Sequence, residues 1–167
     1  MIFRFAVAKN MGKREVLLYS SFMSMRKPKR KERAGLMVRR SARGRGLGLF
    51  TEGEIPRGAF IVEYIGRIIP TSDADNINTK YLFEVDEKIT IDGSLRSNKA
   101  RYINHSCRPN AEAEIDGSRI FIYAKKKIRE GEEIFYDYGD EYFEEFIQPN
   151  GCKCPACAPM NVRRVDN

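Results

Sequence analysis

The apolar residues of this sequence come in short runs, each ended by glycine, proline or polar residues, and this punctuation limits the possible folds most. One stretch, residues 59–69, is rich in β-branched and aromatic side chains and lies between Pro56-Arg-Gly58 and Pro70. Asp116-Gly117 separates two further runs and predicts a hairpin. No segment of ordinary helix length has a 3.6-residue apolar period, although residues 141–147 suit one or two helical turns. The sequence therefore predicts a mainly β domain of many short strands.

The length and the hydropathy pattern narrow the class of protein further. A chain of 167 residues fits one domain, and its 42% hydrophobic and 32% charged residues are those of a globular protein. No stretch approaches 18 consecutive apolar residues, and charged residues interrupt the first 25, so neither a transmembrane helix nor a secretory signal is expected. We therefore expect an intracellular protein that has no membrane partner.

Positive charge is concentrated in one segment, which we call the basic arm. Residues 26–45 carry ten Lys or Arg and one Glu, a net +9, so the remaining residues sum to −2 within the overall +7. Such a segment suits contact with phosphates or a targeting signal, and it equally suits a solvated, disordered leader. We predict that residues 1–33 form a basic, flexible extension outside the folded domain.

Three of the four cysteines, Cys152, Cys154 and Cys157, lie within six residues of one another. Disulfides are a poor explanation for this cluster in a reducing compartment, whereas thiolates at this spacing can converge on one metal ion. Zn²⁺ prefers four tetrahedral ligands, and Cys107 is the only further cysteine available. A two-cysteine redox site with a spare thiol remains the alternative.

Three other segments carry groups that suit binding or chemistry. Residues 43–50 hold three glycines, which allow close approach to a ligand but more often mark a turn. Residues 101–110 combine donors, acceptors and a thiol with His105, the only histidine, although a lone histidine is usually structural. Residues 131–140 place two tyrosines, Tyr136 and Tyr138, on one face of a predicted strand.

Taken in order, these motifs resemble the SET domain of protein lysine methyltransferases. They are G-x-G-L-F, E-Y-x-G, R-x-I-N-H-S-C-x-P-N, G-E-E-I-x-Y-D-Y-G and C-x-C-x-x-C, and they cover residues 36–158. The resemblance implies a fold of several small curved sheets, with a knot-like crossing between the N-H-S-C segment and the strand that ends at Tyr138. It also implies a SET domain over residues 34–147 and a short post-SET tail over residues 148–167.

The resemblance further implies methyl transfer from S-adenosylmethionine to the ε-amine of a lysine in a protein. Tyr138 and Tyr64 match tyrosines of the family's active site, and Tyr136 occupies a position held by Phe or Tyr. A tyrosine at that position favours mono- or dimethylation over trimethylation. The matched cofactor-binding positions are Arg45, Gly46, Leu47, Arg101, Asn104, His105 and Tyr138. A structural Zn²⁺ is expected on Cys107, Cys152, Cys154 and Cys157.

The substrate follows less directly from the sequence. An acidic set after the active-site strand could attract a basic protein such as a histone, or be no more than a solvated face: Asp137, Asp140, Glu141, Glu144 and Glu145. The basic arm suits non-specific, salt-sensitive nucleic-acid contact. The expected location is the cytoplasm or nucleoid in a microbe and chromatin in a eukaryote. The alternatives are a non-catalytic SET-like module that binds peptide or nucleic acid, and a zinc-dependent nucleic-acid-binding protein.

Overall fold

The computed structural model describes residues 35–42 and 44–157. The predicted extension over residues 1–33, half of the basic arm and the last ten residues of the tail lie outside the described residues. Among those described, no helix has the length and apolar character needed to cross a membrane.

Ten short strands and a few helical turns make up the described chain. The strands are β1 (Leu36–Arg40), β2 (Leu47–Thr51), β3 (Phe60–Tyr64), β4 (Arg67–Pro70), β5 (Leu82–Glu84), β6 (Ile89–Asp92), β7 (Asn104–His105), β8 (Ala111–Asp116), β9 (Arg119–Ala124) and β10 (Phe135–Tyr136). The helical turns are α1 (Thr71–Ala74), a 3₁₀ turn (Lys99–Tyr102), α2 (Asp140–Tyr142), a π turn (Phe143–Ile147) and a second 3₁₀ turn (Gln148–Asn150). The prediction of a mainly β domain is confirmed.

The strands form four small sheets. Two sheets have three strands each, in the orders β3-β9-β8 and β4-β6-β5, and β1 pairs with β2. The β8–β9 hairpin turns at Asp116-Gly117 as predicted, with Gly117 at a φ of 62°. The fourth sheet is the parallel pair β7–β10, which sets Asn104 beside Phe135 and His105 beside Tyr136. The two segments predicted to cross therefore lie side by side.

The main core is built around β9, the central strand of its sheet. Its side chains at Ile120 and Ile122 are fully buried, and they pack with Ile61 and Val62 of β3 and Leu49 of β2. Burial of one such side chain stabilises the fold by about 1.5–3 kcal/mol. The aromatic residues of the site, Tyr136, Tyr138 and Tyr142, pack within or against this apolar cluster.

The structure corrects three local expectations. The stretch over residues 59–69 is two strands, β3 and β4, separated by Ile65 and Gly66, and the Asp92 backbone approaches Gly66 too closely to leave room for a side chain there. Residues 71–79, where the sequence shows no apolar helical period, contain a turn of helix, α1. The strand predicted around Tyr136 and Tyr138 is formed only over Phe135–Tyr136, with a single bridge before it at Glu133. There the Asn110 side chain accepts from the Phe135 amide and donates to the Glu133 carbonyl in place of a longer ladder.

Candidate cofactor and metal sites

A cavity of about 400 Å³ collects most of the residues singled out in the sequence. Its walls come from four parts of the chain. They are the glycine-rich loop (Arg45, Gly46 and Leu47), β3, the 3₁₀ turn before β7, and β10 with the residues that follow it. Four lining residues were not predicted: Lys80, Tyr81, Tyr102 and Tyr142. The predicted ones are Arg45, Gly46, Leu47, Tyr64, Arg101, Asn104, Tyr136 and Tyr138.

A second cavity of about 230 Å³ adjoins the first and reaches the cysteine tail. The two share four lining residues, Arg45, Asn104, Tyr138 and Tyr142. The second adds His105 from β7, Phe146 from the π turn, and residues 151–154 of the tail. Tyr138, Tyr142 and Phe146 are spaced four apart, and their rings follow one another at 5.0 Å between centroids. That helical spacing is a signal by which the sequence could have indicated Tyr142 and Phe146.

Tyr138 is held at both its backbone and its hydroxyl. Its amide donates to Nδ1 of His105 at 3.2 Å, and its hydroxyl donates to the Ile103 carbonyl at 2.7 Å. Burial, reinforced by the neighbouring Tyr142, raises the pKa of Tyr138 well above its usual value of 10. The phenol is therefore neutral at physiological pH. Since its proton is committed to Ile103, its oxygen can offer only lone pairs to a ligand in the cavity.

The other two predicted tyrosines form the wall behind Tyr138. Tyr64 is 2% exposed, and its hydroxyl donates to the Tyr81 carbonyl at 2.8 Å. Tyr136 is 3% exposed, and its ring lies 4.9 Å from that of Tyr138 and 6.3 Å from that of Phe83. Burial raises the pKa of both phenols above the usual range. Neither is suited to act as a base at neutral pH.

One end of the larger cavity is cationic. The Arg101 guanidinium lies 3.7 Å from the centre of the Tyr81 ring and donates to the Ser94 carbonyl, and Lys80 Nζ lies 5.3 Å from the same ring. Partial burial acts to raise the pKa of Tyr81, but hydrogen bonding from Arg101 and the charge of Lys80 outweigh it, so the pKa is lowered. No carboxylate belongs to the described lining, and Arg101 Nε is buried without a hydrogen-bond partner. This end therefore suits an anionic group on a ligand.

The four cysteine sulfurs converge, and their geometry fits one tetrahedral ion. All four lie within 4.8 Å of one another, and Cys107 Sγ is 3.5 Å from Cys157 Sγ and 3.8 Å from Cys152 Sγ. Four Zn–S bonds of about 2.3 Å require sulfur–sulfur separations of about 3.8 Å. Partial burial opposes ionisation of Cys154, but backbone amides of Cys107 and Cys157 lower its pKa to about 6. The cluster could bind zinc, and it involves all four thiols rather than a pair with a spare.

His105 connects this cluster to Tyr138. Because its Nδ1 accepts the Tyr138 amide, the neutral ring carries its proton on Nε2, which lies 3.4 Å from Cys107 Sγ and can donate to that sulfur. Burial lowers the pKa of His105, while Asp137, 3.6 Å from Nδ1, partly opposes that shift. The ring is thus a neutral hydrogen-bonding bridge and not a proton shuttle.

The predicted acidic set lies on the surface near the second cavity. Asp137 follows β10, and the other four residues belong to α2 and the π turn. All five are exposed: Asp137, Asp140, Glu141, Glu144 and Glu145. Exposed carboxylates at this position can interact with an approaching positive charge, with an energy that solvent screens.

Comparison with known proteins places these motifs in one family. Residues 46–139 match the SET domain family. The chain is 36% identical over 154 residues to the histone-lysine N-methyltransferase trr of Drosophila melanogaster, covering 84% of this chain and 6% of that protein. It is 42% identical over 125 residues to an H3 lysine-4 specific histone-lysine N-methyltransferase of Schizosaccharomyces pombe, covering 66% of this chain and 13% of that protein.

Two further likenesses extend this comparison. The histone-lysine N-methyltransferase ASHH3 of Arabidopsis thaliana is 38% identical over 124 residues, covering 66% of this chain and 33% of that protein. The chain thus spans 6–33% of the length of these three relatives. Among solved structures, KRYPTONITE in complex with mCHG DNA and SAH is similar with a TM-score of 0.58 and 34% identity. That match covers 66% of this chain and 25% of KRYPTONITE.

Proposed function

The chain belongs to the SET domain family, and from that premise we propose that it transfers a methyl group from S-adenosylmethionine to the ε-amine of a lysine in a protein. The observation that carries the proposal is the placement of Tyr138. Its neutral hydroxyl is fixed by Ile103 inside a cavity that also contains Gly46 and Asn104. We take residues 34–147 as the SET domain and residues 148–167 as the post-SET tail.

The residues present fit S-adenosylmethionine. The cationic end of the larger cavity, with the unpartnered Arg101 Nε, suits its carboxylate. The two adjoining cavities suit a ligand that bends between the glycine-rich loop and β7. Backbone groups of Arg45, Gly46 and Leu47 would hold the amino-acid moiety, while Asn104 and His105 would hold the remainder. When bound, the cofactor supplies a methyl group that the sulfonium charge already activates.

The contribution of the protein is to bring a neutral amine into line. A lysine amine has a pKa near 10.4, so its deprotonation at pH 7 costs about 4–5 kcal/mol. The buried aromatic walls and the positive charges of Arg101 and Lys80 disfavour the ammonium form and reduce this cost. The Tyr138 oxygen offers only lone pairs and can accept weak C–H···O contacts from a methyl group. No side chain needs to act as a base, because water can carry the proton away.

The degree of methylation depends on the space beside the amine. Tyr136 is buried against Tyr138, so its phenol takes up volume that a phenylalanine would leave free. A phenol at this position can also hold the amine or a water molecule through its hydroxyl. We therefore propose that the enzyme adds one or two methyl groups rather than three.

The substrate class is a basic segment of a protein, with histones as the first candidates. The five exposed carboxylates of the acidic set provide charge complementarity close to the site, and three relatives are named histone-lysine N-methyltransferases. A histone substrate would bring the enzyme to chromatin. The basic arm would then add non-specific contact with nucleic acid, weakened by salt.

A structural Zn²⁺ completes the proposal. Cys107 from the N-H-S-C segment and three tail cysteines would hold it with no position left for water, so it would take no part in the chemistry. Its role would be to fix residues 151–154, which form one wall of the second cavity.

The test is transfer of labelled methyl from S-adenosylmethionine to histones and to a lysate of basic proteins. Tyr138→Phe removes the hydroxyl at the site, and Tyr123→Phe removes one from β9 that lines neither cavity. We expect label on lysine, a loss of about 100-fold or more in Tyr138→Phe, and a change of less than about twofold in Tyr123→Phe. Cofactor binding without transfer to any protein would favour a non-catalytic module, and absence of cofactor binding would refute the proposal.

A further inference from the structure

Glu133 is a buried carboxylate that joins three segments distant in the sequence. Its side chain is 8% exposed. Its Oε1 accepts from Asn104 Nδ2 at 2.8 Å and lies 2.7 Å from Ser41 Oγ, and its Oε2 accepts from Arg45 Nη2 at 3.2 Å. It thus holds the glycine-rich loop and the N-H-S-C segment from one point.

Arg45 extends this network to the tail. Besides Glu133, its guanidinium donates from Nε to Ser41 Oγ at 3.0 Å and from Nη1 to the Lys153 carbonyl at 2.9 Å. Lys153 lies between two of the clustered cysteines, Cys152 and Cys154. One largely buried ion pair, Arg45 with Glu133, therefore lies between the loop proposed to hold the cofactor and the tail proposed to hold the metal.

The backbone around Glu133 is shaped to admit its side chain. A β-carbon at Gly48 would lie 2.3 Å from Glu133 Oε1, so any side chain there would displace the carboxylate. Phe50 forms an antiparallel bridge with Glu133, and the Ile134 amide donates to the Leu49 carbonyl at 2.8 Å, which fixes the backbone on either side. The position is therefore over-determined by packing, as expected of a group whose orientation matters.

We infer that Glu133 is a positioning residue for the reaction, which acts through Arg45 and Asn104 and couples cofactor binding to the zinc tail. This inference rests on the proposed function. Glu133 lines neither cavity among the described contacts, so its effect is indirect. With the Glu133 side chain in place, Arg45 and Asn104 keep their orientations, and Arg45 holds Lys153 at the second cavity. Through Arg45, the carboxylate thus links the glycine-rich loop to the tail.

The test compares Glu133→Gln with Glu132→Gln. Gln at position 133 keeps the shape but places an NH₂ group where Arg45, Asn104 or Ser41 now donates, so two donors face each other. Glu132 is its sequence neighbour, and among the described residues its carboxylate accepts one hydrogen bond, from the Arg129 amide at 3.1 Å. The measurements are S-adenosylhomocysteine binding by calorimetry, and the rate of zinc release to a chromophoric chelator with and without S-adenosylhomocysteine.

We expect Glu133→Gln to weaken S-adenosylhomocysteine binding by about tenfold and to speed zinc release several-fold, with Glu132→Gln within about twofold of the wild type. Saturating S-adenosylhomocysteine should slow zinc release in the wild type, and this slowing should disappear in Glu133→Gln. In the methylation assay, the cofactor KM should rise by a larger factor than kcat falls. A merely structural glutamate would lower the melting temperature without uncoupling the two ligands.

A second variant keeps the inference testable if Glu133→Gln does not fold. Arg45→Lys retains a cation for Glu133 but cannot also donate to the Lys153 carbonyl, so zinc release should quicken and its response to S-adenosylhomocysteine should fade. The inference is overturned if folded Glu133→Gln, or Arg45→Lys in its place, matches the wild type in cofactor affinity and in zinc release with and without cofactor. These readings need no methyl transfer, so a protein inactive on every substrate tested would still decide the question.

Discussion

The β3-β9-β8 sheet is stabilised by different interactions from those that stabilise the wall of the second cavity, which the glycine-rich loop and the tail form. The sheet buries Ile120 and Ile122 completely, and its hairpin closes locally at Asp116-Gly117. In the tail, Cys154 is the one buried residue among the described residues 148–157. Thiol contacts and the hydrogen bond from Arg45 to Lys153 join it to the domain. The sheet should therefore be stable without ligands, whereas the wall should depend on them.

Removal of zinc should produce the largest difference between the two regions. Metal bound to four thiolates contributes its binding free energy directly to the order of the segment that holds it. Chelation should therefore lower S-adenosylhomocysteine affinity by about 100-fold or more while the far-ultraviolet circular dichroism of the sheets persists. Calorimetry and circular dichroism on one sample measure both, and re-added zinc is the control. Unchanged cofactor affinity after complete chelation would contradict the dependence.

A substitution that leaves a cavity in the core should have the opposite effect: it should destabilise the sheet and leave the tail unchanged. Ile122→Ala deletes fully buried methyl groups and should lower the free energy of unfolding by about 2–5 kcal/mol. Ile115→Ala on the neighbouring strand β8 removes an exposed side chain and should cost less than about 1 kcal/mol. Denaturant titration measures the loss, and zinc release at low denaturant should remain at the wild-type rate. Faster zinc release in Ile122→Ala would show that the two regions are not separable.

The hydrogen bond from His105 to Cys107 links the folded domain to the cysteine cluster, and its removal tests that link. His105→Gln cannot both accept the Tyr138 amide and donate to Cys107 at these positions, so zinc affinity should fall by about 10–100-fold. Asp137→Asn is the matched control. It removes the charge that lies 3.6 Å from His105 Nδ1. A neutral imidazole does not depend on that charge, so zinc affinity should stay at the wild-type value. Chelator competition distinguishes the two, and equal zinc affinities would refute the bridging role.

The sequence predicted the regions that depend on local signals. Asp116-Gly117 indicates a tight turn whatever surrounds it, so the β8–β9 hairpin followed from two residues. The cysteine spacing predicted three thiol ligands for a metal and the cysteine count suggested Cys107 as the fourth, with a redox pair as the alternative; the structure brings all four together. Tyr138 and Tyr136 were found through the family motif, which preserves the order of segments. Alternation in the predicted strand also placed both rings on one face, and they lie 4.9 Å apart although the strand itself covers only Phe135–Tyr136.

The network around Glu133 escaped prediction because its members carry no common signal. Ser41, Arg45, Asn104 and Glu133 are ordinary surface residue types in three separate segments, and only the folded chain makes them neighbours. The close approach at Gly66 was missed for a similar reason, since the neighbour is the Asp92 backbone 26 residues away. Long-range polar contacts and steric exclusion are properties of the assembled fold, and periodicity in a single segment does not contain them.

The smallest expected effect is a change of product rather than of rate, and it tests the comparison within the proposed active site. The Tyr136 ring contacts Phe83 on the side of the apolar core and Tyr138 on the side of the cavity. Tyr136→Phe therefore removes a hydroxyl from the cavity wall and leaves the ring contacts in place. Turnover should change by less than about threefold, because no proton is moved by this phenol. The freed volume should instead increase the share of di- and trimethyllysine at the expense of monomethyllysine. Mass spectrometry of a histone substrate at matched extents of reaction measures the distribution, and Phe83→Leu controls for loosened packing behind the ring. An identical distribution in Tyr136→Phe and wild type would mean that the walls nearer Tyr81 and Tyr138 set the product.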